Sequence, residues 1–174
     1  MQTRRIGFRH WRVEDLALAV GLWGDYRVTR LIDARGPLSR AQIQEKLEHE
    51  IAMAEVYGVQ YWPIFLLSDE EHIGCCGLRP YALEKNIYEI GFHIRAEQWG
   101  QGFATEAAQR VIAYAFEELN TAALFAGHNP LNVASSRLLK KLGFYYTQHE
   151  YYPPTGLDHP SYLMTAEEYR AGTE

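Results

Sequence analysis

The sequence predicts a mixed α/β domain built on a largely antiparallel sheet. Three observations predict it. Three β-rich runs follow one another through short polar turns in the middle of the chain; amphipathic helical segments flank them; and a turn carrying Gly100 and Gly102 ends a strand and opens a helix. With 174 residues, 47% apolar and 22% charged, the chain has the make-up of one ordinary globular domain spanning residues 1–174, long enough to enclose a core.

In chain order, residues 4–10 are short and mixed, a first strand. From Glu14 and Asp15 the pattern turns helical, with Leu16, Ala17, Val20 and Trp23 on one side, and residues 25–36 form an irregular connection. Ser39 with Gln42 three residues later is a capping box, and behind it Ile43, Leu47, Ile51 and Ala54 recur at helical spacing up to Tyr57. The three β-rich runs cover residues 59–67, 73–83 and 87–94; Ser68-Asp69-Glu70-Glu71 and Glu84-Lys85-Asn86 supply the turns of an antiparallel meander. Residues 103–119 form a second helix, with Phe103, Ala104, Ala107, Ala108, Val111, Ile112, Ala115 and Phe116 on one face. A strand at 122–127 precedes a third helix over 133–142, which stops at Gly143, a position suited to left-handed backbone. Aromatic, β-rich residues 144–152 and a last strand at 161–165 close the chain, with the Pro-rich residues 151–160 as the loop between them, placed over the acceptor entrance.

The bulk numbers exclude several function classes. A net charge of −5 argues against nucleic acid, whose binders cluster Lys and Arg against phosphates, and against an anionic membrane surface. No apolar run approaches the roughly 20 residues that span a bilayer. Basic residues at the start have no apolar stretch behind them, so no signal peptide is expected and the expected compartment is the cytoplasm. Cys75 and Cys76 are adjacent, which in a strand points them to opposite faces; they read as two buried thiols in a reducing compartment, and no motif marks either as a nucleophile. The seven histidines show no pairing at i,i+3 or i,i+4 and no cysteine partners, so no metal is expected.

The most informative segment is Trp99-Gly100-Gln101-Gly102-Phe103-Ala104-Thr105. Glycines let the backbone turn tightly and approach a ligand, and a helix start offers free N–H groups and the positive end of the dipole to a phosphate. A Walker loop needs Gly-Lys-Ser/Thr, which Gly102-Phe103-Ala104 lacks. A dinucleotide fingerprint needs Gly or Ala where Thr105 stands, and an acidic residue on a following strand, whereas Glu117 and Glu118 fall inside the helix. A glycine turn without a ligand remains the bland alternative for this motif taken alone.

The segment resembles the pyrophosphate loop of the GNAT superfamily of N-acetyltransferases, Arg/Gln-x-x-Gly-x-Gly/Ala, matching at Gly102 and Ala104 with Trp99 in place of the usual Arg or Gln. The longer string Trp99-Gly-Gln-Gly-Phe-Ala-Thr-Glu-Ala107 is similar to the RimJ/RimL branch of ribosomal-protein N-terminal acetyltransferases. That branch also carries Asn-x-x-Ser followed by Lys-Leu-Gly-Phe, here Asn132 to Ser135 and Lys141 to Phe144. The resemblance implies the GNAT fold, a mixed and mostly antiparallel sheet of six to seven strands with about four helices on both faces. It also implies acetyl-CoA as cosubstrate, an amine acceptor (small molecule or protein N-terminus), and direct transfer without an acetyl-enzyme. It is compatible with a homodimer. A non-catalytic acyl-CoA-binding module of the same fold and a nicotinamide or flavin enzyme are the rival readings.

Transfer to an amine needs a base for the ammonium proton, donors for the carbonyl oxygen, and a fate for the thiolate. Alternation along Tyr88–Ile94 puts Glu89, Gly91 and His93 on one face and Ile90, Phe92 and Ile94 on the other. Glu89 is the candidate base, and the resemblance points to the same strand. The resemblance also assigns a backbone N–H around Phe92, His93 and Ile94 to the thioester carbonyl; the His93 ring, with a pKa near neutrality, is left open. Asn132 and Ser135 suit a helix N-terminus as plain caps. The resemblance adds contact of Asn132 with the pantetheine arm and of Ser135 with the sulfur. Many relatives carry a tyrosine acid where this chain has Leu139, which favours Ser135 or a water as proton donor. The implied set is thus Glu89 and Ser135 for catalysis, and Phe92, His93, Ile94, Trp99, Gly100, Gln101, Gly102, Phe103, Ala104, Thr105, Asn132 and Ser135 for acetyl-CoA. Trp23, Asp25, Arg27, Tyr61, Trp62, Tyr151, Tyr152 and Tyr162 are candidates for an acceptor pocket.

Overall fold

The computed structural model of the protein describes residues 1–34 and 36–173. Seven strands pair in the order β1-β2-β3-β4-β5-β7-β6. They are β1 (Ile6–Phe8), β2 (Tyr61–Leu66), β3 (His72–Ala82), β4 (Ile87–Ile94), β5 (Ala123–Gly127), β6 (Tyr145–Tyr152) and β7 (Leu157–Thr165). Every neighbouring pair is antiparallel except β4 and β5, which run parallel. The helices are α1 (Leu16–Trp23), α2 (Tyr26–Thr29), α3 (Arg40–Tyr57), α4 (Phe103–Ala113), α5 (Val133–Lys141) and α6 (Ala166–Thr173).

Strand alternation divides the core in two. On one face Ile64, Cys76, Leu78 and Ile90 pack against Ala107, Ala108 and Val111 of α4. On the other, Tyr61 and Cys75 pack against Leu22 and Trp23 of α1 and Ile43 and Leu47 of α3. Cys75 and Cys76 therefore lie in different clusters, both free and buried. The mixed α/β fold with helices on both faces is as the sequence predicts.

Local chemistry accounts for the element ends. Ser39 Oγ accepts from the Gln42 amide while Gln42 Oε1 accepts from the Ser39 amide, so the predicted capping box opens α3. Gly143 follows α5 with φ +94°, again as expected. Four expectations need correction. Residues 25–36 are not wholly irregular, because Asp25 accepts from the Arg27 amide and caps the short α2. The second helix widens after Ala113 into a π-turn over Tyr114–Glu118, with the Leu119 amide bonded to the Tyr114 carbonyl. Residues 151–160 are not a loop: β6 and β7 form a hairpin whose turn is only residues 153–156. Pro160 pairs with His149 at a level where β5 has already ended, so its missing N–H leaves no ladder bond unmade. Finally, α6 was not expected, although Thr165 and Glu168 form a second capping box in front of it.

Candidate active site

The site begins where two parallel strands separate. β4 and β5 pair only at Ile87, Tyr88 and Glu89 against Ala123, Leu124 and Phe125. Beyond that level β4 stays with β3 as far as Ile94 opposite Gly74, and β5 stays with β7 as far as Gly127 opposite Ser161, so a wedge opens in the sheet.

Strand parity fixes which backbone groups face the wedge. The Arg95 amide donates to the Ile73 carbonyl at 2.9 Å, so odd-numbered β4 residues turn their backbone groups to β3. Pro80, which has no N–H, stands opposite Tyr88 in the same alternation. The amides of Phe92 and Ile94 therefore point into the wedge, without a strand partner. The Ile94 carbonyl on that edge accepts the Trp99 indole N–H at 2.8 Å. Of the three residues whose backbone was expected to serve a carbonyl, Phe92 and Ile94 turn their amides to the wedge and His93 turns its amide to β3.

A cleft of about 280 Å³ fills the wedge. Glu89, Phe92, His93, Asn132 and Ser135 line it, with Tyr61, Lys46 and Arg79 on the α3 side and Tyr151 and Tyr152 on the hairpin side. Ile94 and residues 99–105 do not line this cleft; they lie further along the chain, past the end of β4.

Glu89 is half-buried. Burial raises its carboxyl above the ordinary glutamate range, while Arg79, Lys46 and the Tyr61 hydroxyl work the other way. Beneath it lies a brace: the side chain of Glu50 is fully buried, takes the Arg79 guanidinium, and accepts the Tyr61 amide at 2.8 Å. Arg79 also sits over the Tyr61 ring, 4.0 Å from its centroid.

His93 points to the same face as Glu89, as the alternation requires, but its ring is committed elsewhere. Nδ1 accepts the Trp23 indole N–H at 3.1 Å and lies 3.7 Å from Cys75 Sγ. Burial, with Lys46 and Arg79 nearby, holds the imidazole well below its ordinary pKa, so the ring is neutral with its proton on Nε2. Burial pushes the Cys75 thiol up to about 12 and Cys76 well above its usual value, so neither offers a thiolate.

At the start of α5, Asn132 Oδ1 accepts the Ser135 amide at 3.1 Å, the plain cap the residue types suggest, while both side chains border the cleft. Leu139 is buried beside them.

The glycine loop is built from its own sequence and from the N-terminus. Gly100 and Gly102 have φ +77° and +80°, a region that costs other L-residues strain. Gly102 is the N-cap of α4 and offers no side chain. Space is open around Gly100, and only the Arg5 guanidinium comes within 4 Å of where a Gly102 Cβ would stand. Glu106 in the first turn of α4 accepts from Thr3 Oγ1 and from Arg5 Nε, both at 2.6 Å. Burial would raise the Glu106 carboxyl, but these bonds outweigh it and hold it below the ordinary range. Arg5 also donates to the Gln101 carbonyl at 3.2 Å and covers the Phe103 ring. Sequence reasoning passed over this clamp, because Arg5 and Glu106 are a hundred residues apart and nothing local marks them.

Of the acceptor candidates, Tyr61, Tyr151 and Tyr152 line the cleft and Trp23 lines a neighbouring cavity. The others fall outside. Trp62 turns to the α4 face against Tyr114. Tyr162 is buried on that side and bonds Ser136. Asp25 and Arg27 pair at the surface, Arg27 also reaching Glu97. Lys46, Arg79 and Glu50 were missed: Lys46 and Glu50 read as ordinary polar positions of α3, and Arg79 as a strand residue without a motif.

Residues 5–145 match the family model described as Acetyltransferase (GNAT) domain. The chain belongs to the GNAT family of acetyltransferases. It is 28% identical over 144 residues to the uncharacterized N-acetyltransferase p20 of Bacillus licheniformis, covering 83% of this chain and 81% of the relative. It is also 28% identical over 151 residues to the uncharacterized N-acetyltransferase YoaA of Bacillus subtilis, with the same shares covered. Among solved structures, a GNAT-family acetyltransferase from Bacillus anthracis superposes with TM-score 0.82 at 20% identity, over 96% of this chain and 98% of that one. Spermidine N-acetyltransferase from Vibrio cholerae, solved with CoA and spermine, superposes with TM-score 0.80 at 17% identity, over 97% and 99%. These last likenesses establish the GNAT fold; the family membership makes the protein an acyltransferase.

Proposed function

We propose that the protein, as one domain over residues 1–174, transfers the acetyl group of acetyl-CoA directly to a primary amine bound in the same complex. The observation that carries this reading is a desolvated carboxylate, Glu89, at the level where β4 and β5 part, followed on the same strand by the unpartnered amides of Phe92 and Ile94.

The residues present fit acetyl-CoA. The two left-handed glycines leave the amides of residues 100–105 open at the N-terminus of α4, where the helix dipole favours an anion, which suits the diphosphate. Gln101, Phe103, Ala104 and Thr105 contribute through those amides, and Trp99 acts by pinning the loop to the Ile94 carbonyl. Asn132 borders the path of the pantetheine arm.

Glu89 takes a proton from the acceptor ammonium, directly or through water. The freed lone pair attacks the thioester carbon, and the amides of Phe92 and Ile94 stabilise the oxygen as it gains charge. The C–S bond then breaks, and the proton that the attacking nitrogen must shed passes through Ser135, or a water held there, to the thiolate, leaving the neutral amide and the CoA thiol. The string from Trp99 to Ala107, with Asn132 to Ser135 and Lys141 to Phe144, supports placement in the RimJ/RimL branch, with a cytoplasmic protein and either a small amine or a protein N-terminus as acceptor.

Release of the CoA thiol from acetyl-CoA, measured with a panel of amines, tests the proposal. Amine-dependent release that Glu89→Gln removes supports it. Tight acetyl-CoA binding with no release for any amine would leave an acyl-CoA-binding module instead.

A further inference from the structure

Two cavities of about 280 Å³ each meet behind Glu89, and the residues they share are Ile32, Lys46 and Arg79. The second cavity lies between α3 and the segment joining α2 to α3, which is tied to the β6–β7 turn by the Ala34 amide donating to the Pro154 carbonyl at 2.9 Å. An acceptor whose amine reaches Glu89 from this side passes the two cations.

Their charges are not equally spent. Arg79 is neutralised by the buried carboxylate of Glu50 and covered by the Tyr61 ring. Lys46 has no carboxylate in ion-pair contact among the described residues; its ammonium lies 5.0 Å from the centroid of the Trp23 ring. Burial and then Arg79 hold it below its ordinary pKa, against the opposing pull of Glu50 and Asp33. The remaining carboxylate of the main cleft, Glu150, is engaged by the Tyr81 hydroxyl and by Gln148.

We infer that the acceptor is a primary amine that also carries a carboxylate, and that Lys46 binds this carboxylate while Glu89 takes the amine proton. The inference rests on the acetyltransferase reading of the same cleft and adds the substrate class. A carboxylate at Lys46 supplies the direct ion-pair contact that this partly buried ammonium does not make among the described residues, which is where a charge-assisted bond gains most. A second ammonium, as in a diamine, would stand against Lys46 and be repelled. Asp33 and Glu45 border only the outer cavity and do not line the main cleft.

The test compares kcat/KM for α- and ω-amino acids, for their carboxamides, and for diamines of equal chain length, using wild type, Lys46→Met and Lys46→Arg. The best carboxylate substrate is expected to exceed its carboxamide and the matching diamine by roughly tenfold or more, chiefly through KM. Lys46→Met is expected to bring that ratio near one, and Lys46→Arg to keep part of it. Should Lys46→Met fail to fold, as judged by circular dichroism, the wild-type panel and Lys46→Arg decide. Equal turnover of carboxylates and carboxamides, or a preference that survives in Lys46→Met, overturns the inference. Transfer to diamines but not to amino acids overturns it while leaving the acetyltransferase reading in place; no transfer to any amine overturns both.

Discussion

The Tyr61 ring occupies the space that a side chain on Gly91 would take, and its hydroxyl is thereby brought to Glu89, two residues earlier on the same face of β4. Tyr61 is buried, braced by the Glu50 carboxylate on its amide and by Arg79 on its ring, so it has little room to yield. Gly91→Ala is expected to force the ring aside and cost about 1–3 kcal/mol through overpacking. Thermal melting checks this; each kcal/mol lowers the midpoint by roughly 2–4 °C in a chain of this size. Tyr61→Phe is the gentler change. It removes a group that favours ionised Glu89, so the acidic limb of the pH–rate profile is expected to move to higher pH.

Glu89 sets that limb. A base works deprotonated, and burial raises its carboxyl, so activity is expected to fall on acidification at a pH above the ordinary glutamate range. Glu89→Gln is expected to lower kcat/KM by about 10²–10⁴-fold and to flatten the limb. Stability moves the opposite way. A carboxyl whose folded-state pKa is raised stabilises the fold below its unfolded pKa, and this is lost as pH rises through the folded value. At neutral pH Glu89→Gln should therefore melt higher than wild type; a lower melting temperature would contradict the shift.

The Glu50–Arg79 pair is a different matter. Glu50→Ala leaves the Arg79 charge buried without its partner and the Tyr61 amide without an acceptor. The expected loss is about 3–5 kcal/mol, measured by denaturant unfolding. A loss below about 1 kcal/mol, the range of a surface ion pair, would show that the brace is not holding the acceptor wall.

At the start of α5 the two polar residues are expected to separate by readout. Asn132→Ala removes the cap bond to the Ser135 amide, costing about 1 kcal/mol of stability, and raises KM for acetyl-CoA. Ser135→Ala should lower kcat more than acetyl-CoA affinity. A pure affinity loss would assign Ser135 to binding alone.

Most of the fold was legible because it is written locally. The Ser39–Gln42 capping box, the alternation of β4, the helical spacing behind Phe103 and the stop at Gly143 each depend on residues within a few positions of one another. The hairpin of β6 and β7 was misjudged because Pro160 and Pro153-Pro154 resemble a loop, and only the position of β5's end shows why a proline is tolerated in β7. The α6 helix was overlooked although its signal, Thr165 with Glu168, has the same form as the one recognised at Ser39. In the site, Glu89 and Ser135 stood out because each lies in a motif or an alternating strand. Lys46, Glu50 and Arg79 did not, since their meaning comes from α3 packing on β2 and β3, a contact between distant parts of the chain. The Arg5–Glu106 clamp escaped for the same reason.

The central claim is that the amides of residues 100–105 hold the diphosphate of CoA and direct its thiol to the wedge between β4 and β5. A crystal structure of the protein grown with excess CoA measures this directly. The expected result is a diphosphate on the backbone around Gly100 and Gly102, with the sulfur between Ser135 and the amides of Phe92 and Ile94. A diphosphate bound elsewhere, with the glycine turn packed shut by its neighbours, would contradict it.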